Sequence, residues 1–291
     1  MLRKWGEIMQ TLTFTNAQGQ SVELKNSAPY VLTSIEGTGG VETSIQTTKA
    51  PFQDGSTLHD VLLENRAIAI EGYVIGASRE DMYSRRQTLA SVLNPKLGAG
   101  TLTYQNDHTI KVIKAVPEQS PVFKERMGNN QQFNIDLLCT LPFWMDPGYE
   151  SVTLRYMMGG LTFPLILPTA FSERSYKRVM TNSGDVETPV EIEFYGPAIN
   201  PTVKNNTTGE VIIVKRTLVE GETLLISTEF GNKRVEVLRA DGSRENVFNW
   251  IDLSSSFFQL QTGDNELEYT SNNDSYVSSV LIKYRNRYVG V

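Results

Sequence analysis

Apolar side chains recur at every second position through most of this chain, and that period, broken by turn-forming residues, restricts it to strands with one buried face. Leu12 and Phe14 share a face, Asn16-Ala17-Gln18-Gly19 supplies a turn, and Val22 and Leu24 continue the pattern as a hairpin partner. A further strand runs through Ile68, Ile70, Gly72 and Val74. A later hairpin places Leu102 and Tyr104 opposite Ile110 and Val112 around Asn106-Asp107. Phe133, Ile135, Leu137 and Cys139 then line one face of a strand whose other face carries Asn134, Asp136 and Thr140. From about Pro189 onward the alternation continues through Ile192 and Phe194, Val211 and Ile213, Leu224 and Ile226, Val235 and Val237, Leu267 and Tyr269, and Val280, Ile282 and Tyr284. Turn residues at Asn205-Asn206-Thr207-Thr208-Gly209, Ala240-Asp241-Gly242-Ser243 and Gly263-Asp264-Asn265 separate these short runs. Short strands at this spacing predict an antiparallel sandwich.

One segment carries a helical period instead. Ser78 is positioned as an N-cap and Asp81 completes the capping signature three residues on. Met82, Leu89 and Leu93 recur on one side with Val92 beside them, Arg79, Glu80, Arg85 and Gln87 occupy the other, and Asn94-Pro95 stops the helix. A single helix over one sheet face makes the N-terminal unit a β-sandwich or barrel with one packed α-helix. A chain of 291 residues has length for two such units. Pro142-Phe143-Trp144-Met145-Asp146-Pro147-Gly148 cannot sustain a regular ladder, so the expected domains are 1–145 and 146–291. The second is expected to begin with an extended linker that includes Phe163-Pro164-Leu165-Ile166-Leu167-Pro168.

Charge narrows the partners. Asp and Glu total 33 against 27 Lys and Arg, a net −6 and the wrong sign for a phosphate backbone, so nucleic acid is not an expected partner. No run approaches the roughly 18 consecutive apolar residues of a membrane helix, and Met1-Leu2-Arg3-Lys4-Trp5-Gly6-Glu7 has no apolar signal core. The expectation is synthesis in the cytoplasm, no membrane insertion and no signal-peptide export. Cys139 is the only cysteine, so neither an intrachain disulfide nor a cysteine-based zinc site can form.

The chemistry-bearing residues are sparse. His59 and His108 lack any metal-ligand spacing and read as loop histidines. Glu191 and Glu193 alternate on one strand, with Asp185 and Glu187 upstream, and resemble a glycosidase pair only if a cleft encloses them. They face away from Ile192 and Phe194, which predicts a solvated outer face. Cys139 continues an apolar face and is expected to be an inert thiol. Gly37-Thr38-Gly39-Gly40 lacks the Lys-Ser/Thr of a phosphate loop and reads as a flexible loop. Tyr195, Trp250, Phe257, Phe258, Tyr269 and Tyr276 are expected to be mostly core; Tyr195, Trp250 and Tyr269 form a sugar platform only in an alternative, carbohydrate-binding reading. Lys283-Tyr284-Arg285-Asn286-Arg287-Tyr288 is locally basic and reads as a solvated strand edge or a subunit contact. No catalytic residue, metal ligand or cofactor site is assigned, and the chain is read as a non-enzyme.

The order of these pieces resembles the siphovirus distal tail proteins along nearly the whole chain. A β-rich first domain holds one helix, Ser78 to Leu93, then a hairpin, then the strand Phe133 to Cys139 leading into Pro142-Phe143-Trp144. The second half carries Phe194-Tyr195-Gly196-Pro197-Ala198, Asn200-Pro201, Asn206-Thr207-Thr208-Gly209 and Glu222-Thr223-Leu224-Leu225-Ile226-Ser227-Thr228. It ends with Leu260, Gly263, Asn265 and Tyr284-Arg285-Asn286-Arg287-Tyr288-Val289-Gly290-Val291. The resemblance implies a mainly β protein with an N-terminal, ring-forming β-sandwich or split-barrel (belt) domain and a C-terminal galectin-like or carbohydrate-module-like β-sandwich. It also implies a hub that closes as a homo-hexamer ring at the distal tip of a phage or prophage tail. Such a hub would join the major tail-tube protein to the tail-tip or tail-associated lysin protein and to receptor-binding or baseplate proteins for host attachment. A ring requires two different patches on each subunit, expected on the edge strands and helix flank of the first domain, with Arg79, Arg85, Tyr104 and Lys111 as ring contacts. The alternative reading is a carbohydrate-binding adhesin acting on the bacterial surface.

Overall fold

The computed structural model describes residues 10–155, 177–272 and 278–291. The chain divides into two compact units, one of residues 1–147 with Tyr288–Val291 and one of Gly148–Arg287. The division falls after Pro147, and the last four residues belong to the first unit, whereas the sequence placed everything from 146 onward in the second. The extended linker expected around Phe163–Pro168 lies outside the described residues, as does Tyr276.

In the first unit the strands are β1 (Thr11–Thr15), β2 (Ser21–Leu24), β3 (Tyr30–Glu36), β4 (Thr43–Thr48), β5 (Thr57–Leu63) and β6 (Arg66–Ile75). After helix α1 (Arg79–Val92) come β7 (Gly100–Gln105), β8 (Ile110–Pro117), β9 (Val122–Met127), β10 (Asn130–Cys139) and β11 (Trp144–Met145). Hydrogen bonding orders them β2-β1-β7-β8-β10-β6-β3, with β9 on β10 and β11 on β8, while β4 and β5 pair only with each other among the described strands. All of these strand pairs are antiparallel. Alternation explains the core directly: Leu12, Phe14, Val22, Leu24, Ile68, Ile70, Val74, Phe133, Ile135, Leu137 and Cys139 all point inward and are buried.

α1 forms where its capping residues place it. The Asp81 backbone N–H donates to the Ser78 hydroxyl at 3.1 Å, and the Asp81 carboxylate turns back to accept from the Ala77 N–H at 2.8 Å. Met82, Leu89 and Val92 bury one stripe against the sheet.

The β7–β8 hairpin is present, but its register differs from expectation. Leu102 pairs with Ile113 and Tyr104 with Lys111, leaving Ile110 exposed at the hairpin end. The Asn106 side chain accepts from the N–H groups of both His108 and Thr109, which fixes a turn that shifts β8 by one residue. Gly37-Thr38-Gly39-Gly40 is not a free loop: the carbonyls of Gly37 and Gly39 accept from Arg66, and that of Thr38 accepts from the Trp144 indole at 3.2 Å.

The second unit is a two-layer antiparallel sandwich. One layer orders Glu150–Arg155, Ser279–Tyr284, Thr188–Tyr195, Thr223–Ser227, Arg234–Leu238 and Arg244–Asn246; the other orders Lys177–Asn182, Gly263–Thr270, Thr202–Asn205 and Val211–Ile213. Val190, Ile192 and Phe194 from the first meet Val203, Ile212, Leu267 and Tyr269 from the second in one buried cluster. The closing basic run is not a solvated edge. Ser279–Tyr284 lies between two strands of the first layer, Tyr284, Asn286 and Arg287 are buried, and Arg287 pairs with Glu229 at 3.1 Å.

Candidate functional site

His59 is exposed on β5, 2.6 Å from the Thr48 hydroxyl, and His108 is exposed in its turn. Among the described residues no group of three or more His, Cys, Asp or Glu is arranged to hold a metal. Cys139 is buried, and burial pushes its thiol up to about 12 against the smaller opposing influence of Arg66, so it is not a nucleophile at neutral pH.

Glu191 and Glu193 do lie on the outward face of their strand, but half-buried, in the wall of a shallow cavity of about 180 Å³ with Ser227, Arg234, Glu236 and Arg244. That hollow is not legible in the sequence, since its guanidiniums come from strands two and three places away in the sheet. Glu193 accepts from the Lys283 ammonium at 2.5 Å and from the Tyr195 hydroxyl at 2.6 Å. Burial favours its neutral form, yet those two donors win and hold its carboxyl below the ordinary range. Such a carboxylate stays ionised and is badly suited to donate a proton. Glu191 accepts a long hydrogen bond, 3.4 Å, from the Tyr149 hydroxyl.

The three aromatics of the sugar-platform reading are not brought together. Tyr269 is fully buried between the two layers, its ring 6.0 Å from Phe194 and its hydroxyl 2.5 Å from that of Ser278. The parity that puts Leu267 in the core puts Tyr269 there too. Tyr195 is half-buried and engaged with Glu193. Trp250 is half-buried in a short 3-10 turn with Arg216 over its ring at 5.0 Å.

The four expected ring contacts also divide. Arg79 is exposed in the first turn of α1. Arg85 is half-buried and bonded to Asp81 at 2.9 Å. Tyr104 is buried, its ring 6.0 Å from Trp144, and Lys111, opposite it in the ladder, is bonded to Asp146 at 2.6 Å. Tyr104 is therefore buried within the first unit, and Lys111, partly exposed, is engaged with Asp146 of the same unit. The reason is the one-residue shift of β8, which turns Lys111 toward the face that Tyr104 occupies.

Two features went unread in the sequence. Arg66, at the start of β6, occupies a core position and donates to the carbonyls of Pro142 (2.8 Å), Gly37 (2.6 Å), Gly39 (3.2 Å) and Val289. Its parity with Ile68 and Ile70 was the available signal. The second is the β4–β5 hairpin, which exposes Ile45, Leu58, Val61 and Leu62, with Phe52 exposed in the turn between its strands. The consecutive Val61-Leu62-Leu63 was its signal, because three successive apolar residues cannot all face one side of a strand.

The described residues thus offer an exposed apolar hairpin and a shallow polar hollow. Two family models match in order along the chain: the phage tail protein RIFT-related domain at residues 17–139, and the siphovirus-type tail component C-terminal domain at residues 183–288. No curated protein is similar enough in sequence to count as a relative. Among solved structures, the chain is similar to the Dit protein of phage SPP1, described as a paradigm of the hub adsorption apparatus in phages infecting Gram-positive bacteria. That likeness has a TM-score of 0.67 at 14% identity and covers 95% of this chain and 98% of the other. It is also similar to a chain of the phage P2 baseplate in its activated conformation with Ca, with a TM-score of 0.57 at 12% identity over 98% of this chain and 99% of that one. The same baseplate with Sr gives 0.58 at 13% identity, over 98% and 100%. At these identities the structures establish a shared fold, and the family models establish kinship. With both halves matched in sequence order on one chain, this protein belongs to the siphovirus distal tail protein family, structural components of the phage tail.

Proposed function

We propose that this chain is the hub at the distal end of a long non-contractile phage or phage-like tail, closing as a homo-hexameric ring that joins the tail tube to the tail tip and its host-adhesion proteins. The observation that carries this reading is the pairing of two tail-component domains in order on a chain that shares its fold, over 95% of its length, with a hub protein. The first unit is the ring former, and the second projects toward tip or adhesion partners. Its place is the virion tail, and its partners are further copies of itself, the tube protein, and the tip or lysin and baseplate proteins. The role is architectural, and Glu191 and Glu193 are structural carboxylates on this reading. The adhesin alternative loses its platform, because Tyr269 lies in the core.

Sedimentation and negative-stain imaging of the full chain at rising concentration test the ring. Closed hexamers that retain the tube protein on co-purification are the expected result. A monomer at every concentration that binds neither tube nor tip proteins would remove the reading.

A further inference from the structure

We infer that the β4–β5 hairpin is an arm that docks on the flank formed by α1 and β9 of a second copy of this chain; the inference rests on the ring reading and supplies its contact surfaces. The hairpin is built for a partner. Its strands bond only to each other among the described strands, and a lone two-stranded ribbon is marginal in water. Apolar side chains point outward on both faces: Ile45 and Val61 stand opposite one another, and Leu62 lies on the other face opposite Ser44, all three about half exposed or more. At the tip Phe52 is fully exposed with φ of 65°, a left-handed conformation that a bulky residue adopts at a cost. That turn is fixed by two hydrogen bonds, from the Gln53 N–H to the Ala50 carbonyl (3.2 Å) and from the Ala50 N–H to Gln53 Oε1 (3.0 Å). With strands of six and seven residues, the arm reaches about 20 Å at the usual rise per residue, enough to cross a subunit boundary.

Charge selects the surface it meets. Glu42, Asp54, Asp60 and Glu64 lie on or beside the arm without an ion pair among the described residues, against the single cation Lys49. Two arms would repel, so the complement lies elsewhere. The same unit carries it: on α1 and β9, Arg79, Arg86 and Arg126 have no carboxylate partner among the described residues and outnumber the unpaired Glu80 and Glu125 beside them. Arg86 sits over the rings of Phe123 (4.3 Å) and Tyr83 (5.4 Å), which joins β9 to α1 in one surface. Tyr83, Val122 and Met127 are exposed apolar side chains on those two elements. Among the described strands β9 is paired only with β10, which leaves its other edge open to an added strand. An acidic, apolar arm and a basic, apolar flank with an open edge are two different patches. That heterologous geometry generates a ring when the rotation between subunits closes.

The test uses the full chain with two double variants, one of the arm (Ile45→Asp with Leu62→Asp) and one of the flank (Arg79→Glu with Arg126→Glu). All four positions are exposed, so thermal melts are expected to match the parent. Sedimentation velocity should show self-association of each variant alone weakened roughly tenfold or more. An equal mixture of the two should form dimers and stop, because each such pair retains one intact contact. A photo-crosslinker replacing Leu58 in otherwise unaltered protein should capture residues 79–92 or 122–127 of another copy, which keeps the test valid if a double variant misfolds. Rings that persist in both variants, a mixture that fails to dimerise, or crosslinks from arm to arm overturn the inference while leaving the hub reading intact. A parent protein that never self-associates instead defeats the hub reading itself.

Discussion

Lys111 and Tyr288 lie face to face, the ammonium 3.4 Å from the centroid of the phenol ring. The same ammonium bonds to Asp146, whose other oxygen accepts from the Tyr288 hydroxyl at 3.2 Å. Three residues far apart in sequence thus close a triangle that fastens the chain end to the first unit. Burial opposes the Lys111 charge, yet bonding to Asp146 and Tyr288 holds its pKa above the ordinary value.

The triangle gives the first prediction. Tyr288→Leu removes the ring beneath a half-buried ammonium and should cost about 1–2 kcal/mol. Tyr288→Phe keeps the ring, loses one hydrogen bond, and should cost less than half as much. Urea unfolding followed by tryptophan fluorescence separates the two. Equal losses would mean that the hydroxyl, and not the ring, is the effective contact.

Arg66 carries the second prediction. Its planar fork reaches four carbonyls from the three segments that contain Gly37 and Gly39, Pro142, and Val289. Arg66→Met fits the cavity but leaves these acceptors short of donors, and should destabilise by about 3 kcal/mol or more. Lysine offers a single ammonium in place of the fork, so Arg66→Lys should recover only part of the loss. Gly37→Ala should be as damaging by another route: its φ is 86°, and an added Cβ would stand 2.0 Å from the Ala67 carbonyl oxygen. Thermal melts of the three variants test the set.

How far the sequence could be read follows from such positions. Strand parity located most of the core, because one buried face is what period two encodes, and the capping pair located α1. Parity says nothing about pairing partners, however. A one-residue difference in β8 therefore turned Lys111 toward the buried face that Tyr104 shares with Leu102 and left Ile110 exposed. Arg66 went unread because a charged residue on a core face is legible only once the carbonyls it serves are known. The basic run 283–288 misled for the same reason: Glu193 and Glu229, which meet Lys283 and Arg287, lie more than fifty residues away in sequence.

The third prediction concerns Glu193 and pH. Its folded pKa lies below the ordinary 4.5, so near that pH the unfolded chain binds more protons than the folded one. The stability this carboxylate contributes is fully present above about pH 4.5 and is lost as pH falls through the folded value. Lys283→Met should therefore cost about 1 kcal/mol at pH 7, with both partners partly exposed, and the gap from the parent should narrow toward pH 3. Glu191→Gln with Glu193→Gln should leave any wall-degrading activity of the assembled particle unchanged. A loss of that activity with assembly intact would make the pair catalytic.

Tyr269 separates a core residue from a sugar-stacking one. Fully buried against Phe194 and bonded to Ser278, it should behave as a large core aromatic, with Tyr269→Ala costing roughly 3–5 kcal/mol. Tyr269→Phe removes only the hydroxyl and leaves the buried Ser278 short of a partner, for about 1 kcal/mol. A platform residue would show the opposite profile, with little change in melting temperature and a loss of glycan retention. Thermal melts and a glycan array on the same full-length variants distinguish the two. Unchanged stability with glycan binding lost would return the second unit to the adhesin reading, whereas the packing of Tyr269 calls for lower stability and no glycan signal to lose.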